Sequence, residues 1–435
     1  MKRSIVWFTT DLRLNDNETL VQAIQQTDEV IPVYCIDEQH FQTSEFGFNK
    51  TGVFRAQFLL ESLIDLDMRL RELGSGLIVV KGNPKIEIFK LAEKYNTQKV
   101  FAKKQVGYEE LVVQSKVEIE LKKINVTLET LDTTSLYHPD DLPFTINSIP
   151  EVFTDFRKRV EKNAKLRKPI SAPAFITSPA IEKLNLPSLS ELGLENYGFD
   201  CRAAYPFEGG ETVGIKRVCN YLFETHAIAN YKETRNGMIG ENYSSKFSPW
   251  LALGCISPKM IYHEIKKYES THFANESTYW LIFELLWRDY FHFMMRKYPT
   301  HFFTSKGINK RNVSKNNHDA VLFEKWKTGQ TENDFINANM NELNQTGFMS
   351  NRGRQNVASY LCHDLKLDWK YGAAFFEQQL IDYDVSSNWC NWAYIAGVGN
   401  NPRGVSIFNI EKQSNDYDKN KTYRNLWLTK KNEIS

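Results

Sequence analysis

Carboxylates, amides and arginines recur at helical spacing in the second half of the chain, and their grouping could do chemistry. Glu284 and Arg288 stand one turn apart in TYWLIFELLWRDYFHFMMRKYP (278–299), with Trp280 and Trp287 on adjoining faces. Apolar positions run nearly all round this stretch, which predicts a central helix. A charged pair inside such a helix is costly unless it has a partner or a task, and a plain i, i+4 ion pair among core tryptophans is the alternative. Asn351, Arg352 and Arg354 flank Gly353 in FMSNRGRQNVASYLCHDLKLDW (348–369), where glycine permits close backbone approach. LIDYDVSSNWCNWAY (380–394) adds Asp382, Asp384, Asn388, Trp392 and Tyr394. Its two carboxylates suit a metal, acid–base work, or clamps on hydroxyls and an arginine. No His/Asp ligand cluster accompanies them, which argues against a metal.

A different chemistry is offered by ETRNGMIGENYSSKFSPWLALGCISP (233–258). Its glycines and asparagines predict a loop. Ser244, Ser245, Lys246 and Ser248 then precede Pro249 and an apolar run. Hydroxyls and backbone N–H groups at a helix start form an anion site, to which Lys246 would add charge for a diphosphate. An ordinary capping loop is the alternative.

The elements that must position these groups follow from periodicity. Short apolar runs at 4–8, 30–36, 77–80, 99–102 and 126–131 alternate with amphipathic stretches such as 54–73. That alternation predicts a parallel α/β sheet, flavodoxin-like or Rossmann-like, over residues 1–131. No G-x-G-x-x-G follows the first strand, so the dinucleotide fingerprint is missing. Prolines at 139, 143, 150, 169, 173, 179 and 187 punctuate a connection over 132–208, which also carries the basic run FRKRVEKNAKLRK (156–168). This run is either a solvated face or a phosphate contact. Apolar spacing of three and four residues then predicts an all-helical domain over 209–435.

At 435 residues more than one core is expected, and the 42% hydrophobic content excludes disorder as the default. The net charge of +1 neither implies nor excludes a polyanion partner. Cys35, Cys201, Cys219, Cys255, Cys362 and Cys390 are scattered without a C-x-x-C pair, which fits a reducing cytoplasm better than a disulfide or zinc framework. No secretory leader is expected from MKRSIVWFTTDLRL, and no apolar run is long enough for a membrane span.

Taken together and in order, the four late segments resemble the flavin-binding core of photolyases and cryptochromes. The resemblance extends to VWFTTDLRLNDN (6–17) and IFNIEKQSNDYDKNKTYRNLWL (407–428), so it covers essentially the whole chain. ELLWRDYF, ANMNELNQTGFMSNRGRQNVAS and NWAY make it most similar to the DASH-type cryptochromes. The resemblance implies FAD held by Tyr231, Ser244, Ser245, Lys246, Phe247 and Ser248 at its diphosphate and ribityl. Trp280, Glu284, Arg288, Phe348, Asn351 and Arg354 would line the flavin. Asp382 would pair with Arg354, Asp384 would face the ring edge, and Asn388 would stand opposite the central-ring nitrogen, where such groups tune redox state.

The implied chemistry is blue-light electron transfer from reduced FAD to a cyclobutane pyrimidine dimer. Glu284 and Asn351 would stabilise the charged dimer, Trp287 and Tyr394 would stack on its flipped bases, and Arg352 would meet a flanking phosphate. Duplex photolyases carry Trp and Met where Tyr394 and Gln355 stand, so single-stranded DNA is the expected partner. Histidines that (6-4) photolyases use are absent at Asn351 and Gln355. Trp392 and Trp369 match two members of the family's electron relay, but the distal position is Asn316, leaving Trp326 or a surface tyrosine as the exit. Glu109 matches the contact for a folate antenna, methenyltetrahydrofolate. A cytoplasmic monomer is expected. The alternative function is a blue-light photoreceptor that regulates through DNA or a partner; sensory members often carry a long C-terminal extension, and none is expected here.

Overall fold

The computed structural model describes residues 1–309 and 318–429. The early apolar runs form five parallel strands, β1 (Arg3–Phe8), β2 (Glu29–Asp37), β3 (Ile78–Gly82), β4 (Lys99–Lys103) and β5 (Thr127–Leu131). Ile5 of β1 is in register with Ile31 and Val100, so β1 is central. Strand side chains alternate between faces. Ile5 and Trp7 pack on Ile88, Leu91, Val117 and Leu121, which come from α3 (Pro84–Lys94) and α4 (Tyr108–Lys122). Val6 and Phe8 share a core with Leu20, Phe58 and Leu63 of α1 (Glu18–Gln26) and α2 (Val53–Glu72).

The strand order is β3-β2-β1-β4-β5, which is Rossmann-like and corrects the flavodoxin-like alternative, whose order is 2-1-3-4-5. Both orders share one alternation of strand and helix, so periodicity cannot separate them. The order reverses between β1 and β4, and in such sheets ligands sit beyond the carboxyl ends of the strands at that point.

The connection carries one α-helix among the described residues, α5 (Phe153–Asn163), and short 3₁₀ turns. The helical part follows as α6 (Glu211–Cys219), α7 (Tyr231–Thr234), α8 (Ser248–Ala252), α9 (Pro258–Thr271), α10 (Glu276–Lys297), α11 (Ala320–Lys327) and α12 (Asp334–Thr346). It ends with α13 (Asn351–Ser359), α14 (Trp369–Gln379), α15 (Val385–Ile395), α16 (Ile410–Tyr417) and α17 (Thr422–Leu428). Asn275 and Thr278 close a capping box at the start of α10, whose Leu281, Leu285 and Phe293 are buried. Asp289 on the same helix accepts the backbone N–H groups of Leu136 (2.8 Å) and Tyr137 (2.9 Å), fastening the connection to it. Glu211 likewise accepts from Leu14 (2.7 Å) and Asn15 (3.0 Å), tying α6 to the loop after β1. Phe58 meets Trp250 edge-on at 5.8 Å, so one hydrophobic core runs from the sheet into the helices.

Candidate functional site

The helical part encloses a cavity of about 110 Å³ lined by Asn351, Arg354, Gln355, Asp382, Asp384, Asn388 and Trp392. Asn351 is the first residue of α13, and Ser350 caps that helix by accepting the Gly353 N–H at 3.0 Å. A Cβ on Gly353 would fall 2.1 Å from Asn339 Oδ1, so the glycine is what lets α13 seat against α12. Arg354 donates to the Met349 carbonyl (2.9 Å) and to Asp382 Oδ2 (2.8 Å). The other carboxylate oxygen of Asp382 is buried and, among the described residues, has no hydrogen-bond partner.

Asp384 caps α15, accepting from the Ser387 N–H (2.7 Å) and the Ser386 hydroxyl (2.8 Å). Burial pushes its carboxyl up, but Arg288 and these donors outweigh that and hold it below the usual carboxylate range. Asn388 donates to the Ala373 carbonyl at 2.9 Å, which fixes its amide. The Trp392 ring lies on α14 where a Cβ at Gly372 would come within 2.3 Å of it.

On α10 the geometry excludes the alternative of a Glu284–Arg288 ion pair. Glu284 is bonded to Arg235 at 2.7 Å, while Arg288 donates to the carbonyls of Thr134 (2.7 Å) and Leu251 (3.3 Å). Spacing offered Arg288, but the tertiary fold brings Arg235 nearer from the end of α7. The Arg235 guanidinium also lies 5.3 Å from the centre of the Trp280 ring. Burial raises the Glu284 carboxyl, and Arg235 opposes the shift. Trp287 stacks on Phe153 at 3.7 Å and meets Tyr394 edge-on at 6.2 Å. The half-buried Trp280 ring thus lies against a carboxylate–guanidinium pair, with Trp287 one turn beyond Glu284 on the same helix.

Arg235 was legible only as part of the 233–258 segment, whose loop residues drew attention to phosphate instead. Arg217 was missed as well; it donates to the carbonyls of Ser245 (3.0 Å) and Glu241 (3.1 Å) and organises that loop. Phe247 is buried against Tyr221, and Tyr231 is buried at the start of α7. Lys246 stands just before the short α8, which has five residues. It is buried with φ +60°, donates to the Ser244 hydroxyl at 3.1 Å, and faces the rings of Tyr243 and Phe348. Burial pushes its ammonium well down.

Arg352 is also engaged inside the protein, since it lies over the Tyr417 ring at 4.7 Å and donates to Asn236 at 3.0 Å. Ring contacts join Trp392 to Trp326 (6.1 Å) and Trp369 to Trp389 (5.9 Å). Asn316 lies outside the described residues.

A second cavity, of about 520 Å³, opens where the sheet order reverses, beyond the ends of β1, β2 and β4. Thr10, Asp37, Lys103, Glu109 and Glu110 line it from the α/β side, and Glu377, Tyr383 and Asp384 from the helical side. Glu109 sits at the rim, 63% exposed and ion-paired to Lys50. Burial pushes Glu110 up to about 7 and Lys103 down to about 8. Tyr383 and Asp384 border both cavities. Among the described residues, no group of three or more His, Cys, Asp or Glu could hold a metal ion, and no helix is long and apolar enough to cross a membrane.

A Rossmann-like layer thus joins a helical domain, with one cavity among the helices and another where the two meet. Residues 4–174 match the DNA photolyase family, and residues 280–435 match the FAD binding domain of DNA photolyase. The chain is 48% identical to the cryptochrome DASH of Gloeobacter violaceus over 98% of its own length and 85% of that protein. It is 47% identical to the cryptochrome DASH of Danio rerio over 96% and 81% of the two chains. The crystal structure of Synechocystis cryptochrome superposes with a TM-score of 0.94 at 45% identity, covering 98% of this chain and 89% of that one. The chain belongs to the photolyase and cryptochrome family, in its DASH branch.

Proposed function

We propose that this protein splits cyclobutane pyrimidine dimers in single-stranded DNA under blue light. The observation that carries the reading is an aromatic group that would form the mouth of the inner cavity: Trp287, stacked at 3.7 Å on Phe153 and edge-on to Tyr394, stands on the helix whose Glu284 pairs with Arg235. Aromatic faces hold unstacked bases at about 1–3 kcal/mol each. A carboxylate beside them recognises the polar edge of a pyrimidine.

The inner cavity, about 110 Å³, fits part of FAD, its ring edge: the second Asp382 oxygen is a buried acceptor, and Asn351 and Asn388 bring amides to the same wall. FAD, when bound, supplies light absorption and the transferred electron. The chain's own groups do the rest. Arg354 orients Asp382, Arg288 with Ser387 and Ser386 keeps Asp384 ionised, and Ala373 holds the Asn388 amide. Glu284 meets the dimer, with Arg235 setting the direction of its carboxylate. Tyr394 and Gln355, in place of larger apolar side chains, leave a pocket that does little to compensate for flipping a dimer out of a duplex.

The outer cavity would take methenyltetrahydrofolate as an antenna, with Glu109 as a contact once Lys50 yields. In this reading residues 1–131 form the antenna layer, 132–208 the connection and 209–435 the catalytic part of a cytoplasmic monomer. Trp392 and Trp369 would carry electrons for photoreduction, so Trp392→Phe slows photoreduction in a flash experiment, and a parental rate contradicts the relay.

The proposal is tested by illuminating the FAD-loaded protein with a dimer-containing single strand. Splitting is expected, and Glu284→Gln should reduce its yield per absorbed photon by roughly tenfold or more. No splitting by the parent protein would overturn it.

A further inference from the structure

The basic run of the connection is left without a task by the site described above, and its geometry supplies one. Phe153 in the first turn of α5 stacks on Trp287, and Arg157 one turn later lies 5.5 Å from the Phe283 ring centre and donates to Glu161 at 3.0 Å. The helix therefore abuts the aromatic mouth. Its apolar residues Phe153, Phe156 and Val160 all face inward. Lys158, Arg159, Lys162, Lys165 and Lys168 are exposed, and among the described residues none of them forms an ion pair.

The contrast with other helices is direct. Lys122, Lys123, Lys266 and Lys327 each pair with a glutamate three or four residues away. In residues 153–168 the only carboxylates are Asp155 and Glu161, and Glu161 is taken by Arg157. Like charges along one face repel each other, and a bound polyanion would relieve that repulsion. Aromatic rings lie among them: Tyr279, 37% exposed, beside Arg157, and Phe144 under Arg159 at 5.3 Å. Cations tracking a backbone, interleaved with rings, are the pattern of single-strand binding. A membrane surface would require an outward apolar face, which α5 lacks.

We propose that this basic strap, from Lys158 to Lys168, carries the phosphates of the single strand that leads away from the Trp287 mouth. The inference rests on the DNA reading above and adds an exit path for the strand. Its signature is electrostatic, because each phosphate neutralised on a single strand adds about 0.7 to the slope of log affinity against log salt.

The experiment measures dark equilibrium binding of two single-stranded oligonucleotides to the FAD-loaded protein. Each contains one dimer, one being roughly 20 nucleotides long and the other roughly 5, too short to leave the pocket. The variant combines K158Q, R159Q, K162Q, K165Q and K168Q, and a second variant with K158R, K162R, K165R and K168R retains the charge. The glutamine variant should bind the long strand about tenfold or more weaker, with a salt slope flatter by about 2 to 3, and bind the short strand as the parent does. The arginine variant should bind both like the parent, which separates charge loss from misfolding. Unchanged long-strand affinity and slope in the glutamine variant overturn the strap. So does retention by phosphatidylserine vesicles that the variant loses while its DNA binding is unchanged. If the parent binds neither strand, the dimer-site reading fails and the strap with it.

Discussion

The two cavities are built on opposite principles. The outer one, about 520 Å³, lies where two layers meet and is walled by charges with shifted titration, including Glu110 near 7 and Lys103 near 8. One of its glutamates, Glu109, remains largely in solvent. The inner one, about 110 Å³, lies within the helical part, and its side chains are fixed by capping, by one Arg–Asp pair and by glycine contacts. A rim that is wet and charged suits a cargo gained and lost at modest cost. A wall of pre-set groups suits a cofactor whose position decides a reaction. Tyr383 and Asp384 belong to both walls, so the two sites are neighbours across a single loop.

The sharpest way to break this contrast is to unpair the inner wall. Asp382→Asn removes the partner of Arg354 and should cost about 3 kcal/mol of stability together with FAD retention, read by denaturant unfolding and by flavin absorbance after dialysis. Normal stability and full flavin content would show that the pair does not set the cavity. Gly372→Ala places a methyl against the Trp392 ring, with an expected loss of about 1–3 kcal/mol and a shifted flavin spectrum. An unchanged unfolding midpoint would mean that the helices there are free to move apart.

At the outer cavity a lesser change is expected. Glu109→Gln should weaken folate binding by about tenfold, roughly 1.4 kcal/mol, while flavin content and dimer splitting with directly absorbed light stay the same. Coupled loss of flavin would contradict the independence of the two cavities.

The smallest effect concerns Glu342, which accepts the Tyr423 hydroxyl at 2.5 Å and joins α12 to α17. Burial raises its carboxyl to about 7, so the folded state binds a proton that the unfolded state releases. Its contribution to stability is complete below the ordinary glutamate range and is lost as pH rises through about 7. The difference in unfolding free energy between the parent and Glu342→Gln should therefore fall over that window, and a flat difference would exclude the linkage.

Periodicity alone sufficed for the five strands, the stripe of α2 and the central place of α10, because burial imposes those repeats locally. Strand order was not legible, since β4 could lie beside β1 or beyond β3 without any change in its sequence. Four segments in order carried the inner site by resemblance. The partner of Glu284 escaped, because helical spacing proposes Arg288 while the contact with Arg235 spans 49 residues. The outer cavity drew its lining from strand ends and from Glu377 on α14, which no local pattern connects.

The central claim is that a mouth formed by Trp287, Tyr394 and the Glu284–Arg235 pair accepts an unpaired dimer but does little to open a duplex. The most direct test is the number of dimers split per absorbed photon in the same oligonucleotide, first single-stranded and then annealed to its complement, at equal FAD content. The account predicts efficient splitting in the single strand and a yield lower by tenfold or more in the duplex, as expected when unstacking costs a few kcal/mol. Equal yields in the two substrates would contradict it.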